Sequence, residues 1–356
     1  MAVTSYGVNS GHAVKLWARG LEAEALKQCW VSKFIGTGSD SLIQMRDDTS
    51  KQKGDRIRFS LRMQLSGNGV QEDGTMEGNE EALTTYYDDL LINQLRHGVR
   101  SAGKMSEQRV PFEVREEAKM GLADWWADRL DTWFFNQVCG NTAVTDTRLT
   151  GHNATVAPTS TRRVFTEAGT TADENLDNSG DNFSLAAIDK AVVIARTASP
   201  AIRPIKVKGK DYYVCFLHPY QVYQMRTSTD TGQWLDIQKA AMTGGLVEEN
   251  PIFDGSLGVY NGVILHESSR VTTGVNSSTG AAEANIRRAA FCGAQAAMIG
   301  YGRGNSTSKY SWVEKFFDYE NELGVVAGQI SGLKKTVFNS TDFGTITISS
   351  YSPAPT

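Results

Sequence analysis

Residues 111–139, PFEVREEAKMGLADWWADRLDTWFFNQVC, read as one long helix. Proline stands at the start, where its missing N–H costs nothing. Glu113, Glu116 and Glu117 occupy the first turns, where the helix dipole favours anions, and Gly140 follows the end. Val114, Ala118, Leu122, Trp125, Trp126, Leu130, Trp133, Phe134 and Val138 recur at three- and four-residue spacing and make one apolar stripe. At 1.5 Å per residue this helix is ~43 Å long. A helix of that length with three tryptophans is a structural spine. Trp125, Trp126 and Trp133 are expected to pack it against a sheet rather than to cage a ligand.

Upstream, Ile57, Phe59, Leu61, Met63 and Leu65 alternate with Arg56, Arg58, Ser60, Arg62 and Gln64, a period of two that predicts a strand apolar on one face and cationic on the other. The turn residues Ser66-Gly67-Asn68-Gly69 end it. Glu72, Asp73, Glu77, Glu80, Glu81, Asp88 and Asp89 follow, with no Lys or Arg between Met63 and Leu95. The return arm, Ala82 to Leu95, is strand-like through Tyr86, Tyr87, Leu90, Leu91 and Ile92. An isolated two-stranded ribbon is marginal in water. This one is therefore expected to lie on a neighbouring copy, with Arg56, Arg58, Arg62, Glu72, Asp73, Glu77, Glu80 and Glu81 as inter-subunit contacts. The plainer alternative folds it on its own domain with its charges solvated. Before the ribbon, Val14, Trp17, Ala18, Leu21, Ala25, Leu26 and Cys29 predict an amphipathic helix ending near Gly36, followed by a polar loop to Gly54.

Downstream of the spine, Asn141 to Asn182 has few large apolar residues and reads as a long surface loop or short insertion. Helices are expected at Phe183–Ala198, Tyr220–Arg226 and Gln233–Met242, and strands at Tyr212–Leu217, Gly258–Glu267 and Ala289–Ile299. Terminal strands are expected within Lys334–Tyr351.

With 356 residues, 40% apolar and 21% charged, the chain is an ordinary globular protein with enough length for about two domains. No apolar stretch approaches the roughly 20 residues of a membrane-spanning helix, and the first residues lack the pattern of an export signal. Cys29, Cys139, Cys215 and Cys292 form no C-x-x-C pair and read as buried thiols in a reducing cytosol. The net charge of −4 argues against a dedicated DNA-binding protein and leaves room for weak contact with DNA. There is no phosphate-binding loop, no nucleophile elbow and no metal-ligand spacing among His12, His97, His152, His218 and His266. No catalytic, cofactor or metal site is nominated.

MEGNEEAL (Met76–Leu83), QLRH (Gln94–His97), KMSEQRVPFEVREEAK (Lys104–Lys119), LADWWADRLD (Leu122–Asp131) and FFNQVCGN (Phe134–Asn141) resemble the major capsid proteins of tailed double-stranded DNA phages similar to coliphage N-four. The likeness is dense from Gly54 to Asn141 and thins beyond. It implies an α+β chain of the Hong Kong 97 type. The arrangement would be an N-terminal arm (1–45), an extended E-loop ribbon (46–104), a peripheral domain with spine helix and loop (105–182), an axial domain (183–304) and a return to the peripheral domain (305–356). It further implies a non-enzymatic shell protein forming hexamers and pentamers of an icosahedral head around double-stranded DNA, assembled in the host bacterial cytoplasm. Its partners would be the portal protein, a separate scaffolding protein, since fewer than about sixty residues precede the ribbon, and a decoration protein. An encapsulin-like cage and a soluble α/β enzyme are the competing readings. Because no Lys occurs from Gly54 to Gly103, no Lys-Asn cross-link at the ribbon tip is expected.

Overall fold

The computed structural model describes residues 29–46, 54–62, 65, 67–111, 113–207, 209–228, 258–302 and 309–355. Gln233–Met242 and the expected N-terminal helix up to residue 28 lie outside them. The end of that expected helix is instead a 3-10 turn, Val31–Phe34, leading into a strand. The Asp131 carboxylate accepts the Trp30 and Val31 N–H groups (3.2 and 3.0 Å) and the Cys29 thiol, so this backbone is held by a side chain in place of helical bonds.

Two sheets organise the chain. Six strands, β1 (Ile35–Gly36), β2 (Ile43–Arg46), β5 (Asn93–Arg100), β13 (Ala297–Tyr301), β14 (Tyr310–Phe317) and β15 (Glu322–Lys335), form one in the order β1-β2-β13-β15-β14, with β5 alongside β15. The other contains β6 (Arg163–Phe165), β7 (Ile205–Val207), β8 (Lys210–Leu217), β9 (Val259–Tyr260), β10 (Val263–Glu267), β11 (Thr273–Val275), β12 (Ala282–Cys292) and β18 (Thr345–Tyr351). A hairpin, β16 (Val337–Phe338) and β17 (Thr341–Asp342), follows β15, and β3 (Arg56–Arg62) with β4 (Thr85–Leu91) makes the ribbon. The helices are α1 (Lys104–Gln108), α2 (Val114–Val138), α3 (Leu185–Thr197) and α4 (Pro219–Thr227).

The spine is α2, about 37 Å over 25 residues. It begins at Val114 because Glu113 is extended (φ −83°, ψ 117°) and serves as N-cap. Ala118, Leu122, Trp126 and Leu130 face the six-stranded sheet, as a one-sided stripe should. The last turns are buried all round, Trp133 to Val138 without a break. There the helix passes between both sheets, and Phe134 and Phe135 meet Phe216 of β8 at ring-centroid distances of 5.6 and 5.7 Å. The polar residues in that run are satisfied: Asn136 donates to the Leu149 carbonyl, and Gln137 donates to those of Thr150 and Asn153. On the far face of the eight-stranded sheet, α3 buries Ile188, Ala191, Val192 and Ala195 against Phe291, Ile346 and Ile348.

Four expectations are corrected. The return arm is two strands: β4 pairs with β3, the chain breaks at Ile92, and β5 joins the six-stranded sheet. The run Ala289–Ile299 is also two, since β12 and β13 lie in different sheets. Between them a Cβ on Gly293 would lie 2.4 Å from Ile202 Cγ2, and Gln295 is left-handed (φ 56°). The segment 141–182 is more than a surface loop, because it supplies β6 and buries Asn141, Thr150, His152, Asn153, Arg162, Asp173 and Asp181. Finally, the tail does not simply return to the spine's sheet: β14 and β15 belong there, whereas β18 is an inner strand of the eight-stranded sheet, paired with β12 and β6.

His218 caps α4 by accepting the Tyr220 N–H at Nδ1 (3.2 Å), while Gln221 reaches back to the His218 N–H. Burial, and secondarily the nearby Arg287, push its pKa from 6.5 down to about 4. The unfolded chain therefore takes up this proton first as pH falls. Stability due to the neutral imidazole is complete above pH 6.5 and is lost between 6.5 and about 4, at about 1.4 kcal/mol per pH unit. His218→Asn keeps a capping acceptor without the titration. Its melting temperature is expected to fall less steeply than wild type's across that window, and identical slopes would refute the assignment.

Candidate assembly surface

The ribbon is built in strict register from Arg56 opposite Leu91 to Arg62 opposite Thr85. Its apolar face seats Ile57, Phe59 and Leu90 on Met298, Phe338 and Phe343. Asn153 locks the root by exchanging both hydrogen bonds with the Leu91 backbone, each 3.0 Å, as a neighbouring strand would. Lys334 of β15 forms an ion pair with Asp88, whose other oxygen accepts the Val337 N–H (3.1 Å).

On the opposite face Arg58 grips Asp89 with two parallel bonds of 2.7 and 2.8 Å and lies 4.2 Å over the Tyr87 ring. The hydrogen bond from Arg58 holds the Asp89 carboxyl below its ordinary range. With Arg58 60% exposed, water screens this pair, which serves register more than stability. Arg56 is exposed at the root.

Beyond the ladder the described tip residues are exposed throughout, including Glu72, Asp73, Glu77, Glu80 and Glu81. Glu81 accepts the Gly67 N–H (2.5 Å) and Glu80 that of Gly78 (2.7 Å), which shape the tip. Among the described residues, no cation of the same chain pairs with Glu72, Asp73, Glu77 or Glu80. Leu65, expected on the apolar face, is 57% exposed, and Met76 and Leu83 are exposed as well. Of the eight ribbon residues nominated from sequence, the structure brings Arg58 into an ion pair, with Asp89, a residue outside that set. Asp88, Asp89 and Lys334 were missed because cross-strand partners follow from register, and a tip of some twenty residues leaves register open.

The three tryptophans do different things. Trp126, fully buried, meets Tyr310 of β14 edge-on at 5.2 Å. Trp125 is partly buried, stacked on His97 of β5 at 4.5 Å with Arg129 above it. Trp133 packs under the loop after the spine, donating to the Arg148 carbonyl (2.7 Å) with its ring against His152. Cys29, Cys139, Cys215 and Cys292 are buried free thiols. No described group of three or more His, Cys, Asp or Glu could hold a metal, and no described helix is long and apolar enough to cross a membrane.

A sequence profile described as "Phage capsid protein" matches residues 5–354, nearly the whole length. The chain belongs to the phage capsid protein family. The major capsid protein of Pseudomonas phage KPP25 is 29% identical over 94% of this chain and 93% of its own length. Among solved structures, the capsid of Ralstonia phage GP4 superposes with a TM-score of 0.75 at 34% identity, covering 91% of each chain. The cyanophage Pam1 capsid asymmetric unit gives 0.74 at 21% identity, covering 93% of this chain and 94% of that one, a likeness of fold. The chain is thus a major capsid protein of a phage, with a mixed α+β fold of the Hong Kong 97 type, in a structural family that is not an enzyme family.

Proposed function

We propose that this capsid protein forms the hexamers and pentamers of an icosahedral head enclosing double-stranded DNA, each copy's ribbon lying across a neighbour. One observation carries the reading: the ribbon ends in an exposed tip whose Glu72, Asp73, Glu77 and Glu80 meet no cation among the described residues. In this reading the spine with the six-stranded sheet is the peripheral domain, and the eight-stranded sheet with α3 and α4 is the axial domain. Assembly takes place in the host bacterial cytoplasm with a separate scaffolding protein and a portal protein. A decoration protein and weak contact with the DNA complete the set of partners. Electron micrographs of purified particles test it. Shells with five- and six-fold capsomers and DNA content support it; a small soluble oligomer, or a cage filled with protein cargo, overturns it.

The shell is expected to be held without Lys-Asn cross-links at the ribbon. Residues 54–103 contain no Lys, the nearest in sequence being Lys53 and Lys104; of the lysines on β15, Lys334 is engaged with Asp88 and the fully buried Lys335 with Asp342 (2.8 Å). Arginine cannot substitute, because its guanidinium stays protonated and its lone pairs are delocalised. Boiled, reduced mature particles should give one band at the monomer mass on a denaturing gel, and a ladder of multimers would sink the expectation.

A further inference from the structure

The sequence holds two Asn-Gly steps, Asn68-Gly69 and Asn261-Gly262, and the fold treats them differently. A glycine after asparagine leaves its backbone nitrogen open to the side-chain amide carbon, because it has no Cβ to shield the approach. Both asparagines are exposed, so access to water does not separate them. Restraint does.

Asn261 and Gly262 form the two-residue turn between β9 and β10, both left-handed (φ 45° and 75°), the conformation that such a turn requires. The Asn261 amide donates to the Asp189 carboxylate of α3 (2.9 Å), whose other oxygen takes the Tyr260 hydroxyl (2.8 Å). The Gly262 carbonyl accepts the Tyr213 N–H of β8 (2.9 Å). Side chain and backbone are both pinned, so the Asn261 amide carbon cannot swing onto the Gly262 nitrogen unless the hairpin opens. Asn68, at the ribbon tip, stands under no such hold. Glu81 accepts the Gly67 N–H, and the restraint stops there. Among the described residues nothing bonds the Asn68 side chain or the Gly69 N–H, and a Cβ on Gly69 (φ 71°) would meet nothing within 4 Å.

We infer that Asn68 is a self-modifying site, deamidated by its own backbone in the unassembled subunit. The Gly69 nitrogen attacks the Asn68 side-chain carbonyl carbon. The new C–N bond closes a succinimide ring, and the amide nitrogen leaves as ammonia with the proton that Gly69 gives up. Water then opens the ring: attack at the side-chain carbon yields aspartate, and attack at the backbone carbon reroutes the chain through the side chain as isoaspartate. Nothing is oxidised or reduced, and water is the one co-reactant. Each product adds a negative charge to a tip that already carries Glu72 and Asp73, and isoaspartate lengthens the backbone path by a methylene. Subunits left unassembled thus age at the tip that the ribbon reading turns toward a neighbour, a consequence that rests on that reading.

Full-length unassembled subunits held in mildly alkaline buffer, sampled over time and digested for chromatography and peptide mass spectrometry, test the site. The peptide holding position 68 should exchange the mass of NH2 for that of OH and split into two isomers. Its rate should exceed that at position 261 by about tenfold or more, a gap that the cost of opening the hairpin supplies. The rate should also rise with pH, since the attacking nitrogen must shed its proton. Equal rates at the two positions, or a position 68 that stays unconverted while 261 reacts, overturn the inference. Asn68→Gln disturbs no contact and all but stops the reaction, because the longer side chain must close a larger and slower-forming ring. In assembly reactions, aged wild type should yield fewer particles than fresh wild type, while aged Asn68→Gln keeps its yield. Conversion at position 68 with undiminished yield leaves the modification standing and overturns the consequence drawn from the ribbon reading.

Discussion

Asp173→Ala subunits are expected to lose about 3–5 kcal/mol of stability, because the change strands two guanidinium groups in the interior. Asp173 is fully buried. One of its oxygens takes Arg163 (2.6 Å), and the other takes Arg288 Nε (2.7 Å) and the Val275 N–H (2.9 Å). Arg288 also donates to the Gly140 carbonyl (2.7 Å), satisfying the spine's C-terminal end with a cation where the helix dipole favours one. One carboxylate thus fastens β6, β11 and β12 to the spine. Burial pushes the Asp173 carboxyl up, but Arg288 and Arg163 outweigh it and hold the group below its ordinary 3.8. The contribution is therefore complete above the unfolded value and disappears as pH falls through the folded one, so the variant should lack that acid-side slope. Urea unfolding of unassembled subunits measures the loss. A midpoint within experimental error of wild type would mean that the network contributes nothing net.

Trp126→Ala and Trp133→Ala are each expected to cost about 3–5 kcal/mol, since both rings are fully enclosed and neither site can collapse onto rigid neighbours. Trp126 separates the spine from Tyr310 and Trp312 of β14, and Trp133 closes the loop whose Arg148 carbonyl it hydrogen-bonds. Trp125→Ala should cost clearly less, because its ring is partly exposed and stacked on His97 at the surface. The ranking is the useful part: soluble expression should fail first for positions 126 and 133. Variants that melt like wild type would disprove the packing role given to the spine.

Much of this was legible in the sequence because it is local. The spine announces itself through its spacing, its first-turn glutamates and the glycine after its end; β3 does so through its alternation, and α3 through Ile188, Ala191, Val192 and Ala195. The motifs between Met76 and Asn141 pointed to the capsid family, to which the match over residues 5–354 assigns the chain. Strand β5 could not be read, because Asn93–Arg100 is exposed along nearly its whole length and lacks apolar alternation. Strand β15 escaped for a related reason: its glycines at 324, 328 and 332 replace the side chains that would have shown its period.

The sequence by itself determined the helical spine, the ribbon's two chemically distinct faces, the acidic tip and the lack of any catalytic motif, since each depends on neighbours within a few residues. Only the tertiary structure decided which strands share a sheet and which charges meet. Arg288 and Asp173 are 115 positions apart, Lys334 and Asp88 are 246, and the adjoining strands β12 and β13 belong to different sheets. Strand pairing and buried ion pairs are selected by packing among distant segments, so a local stretch of sequence carries no mark of its partner.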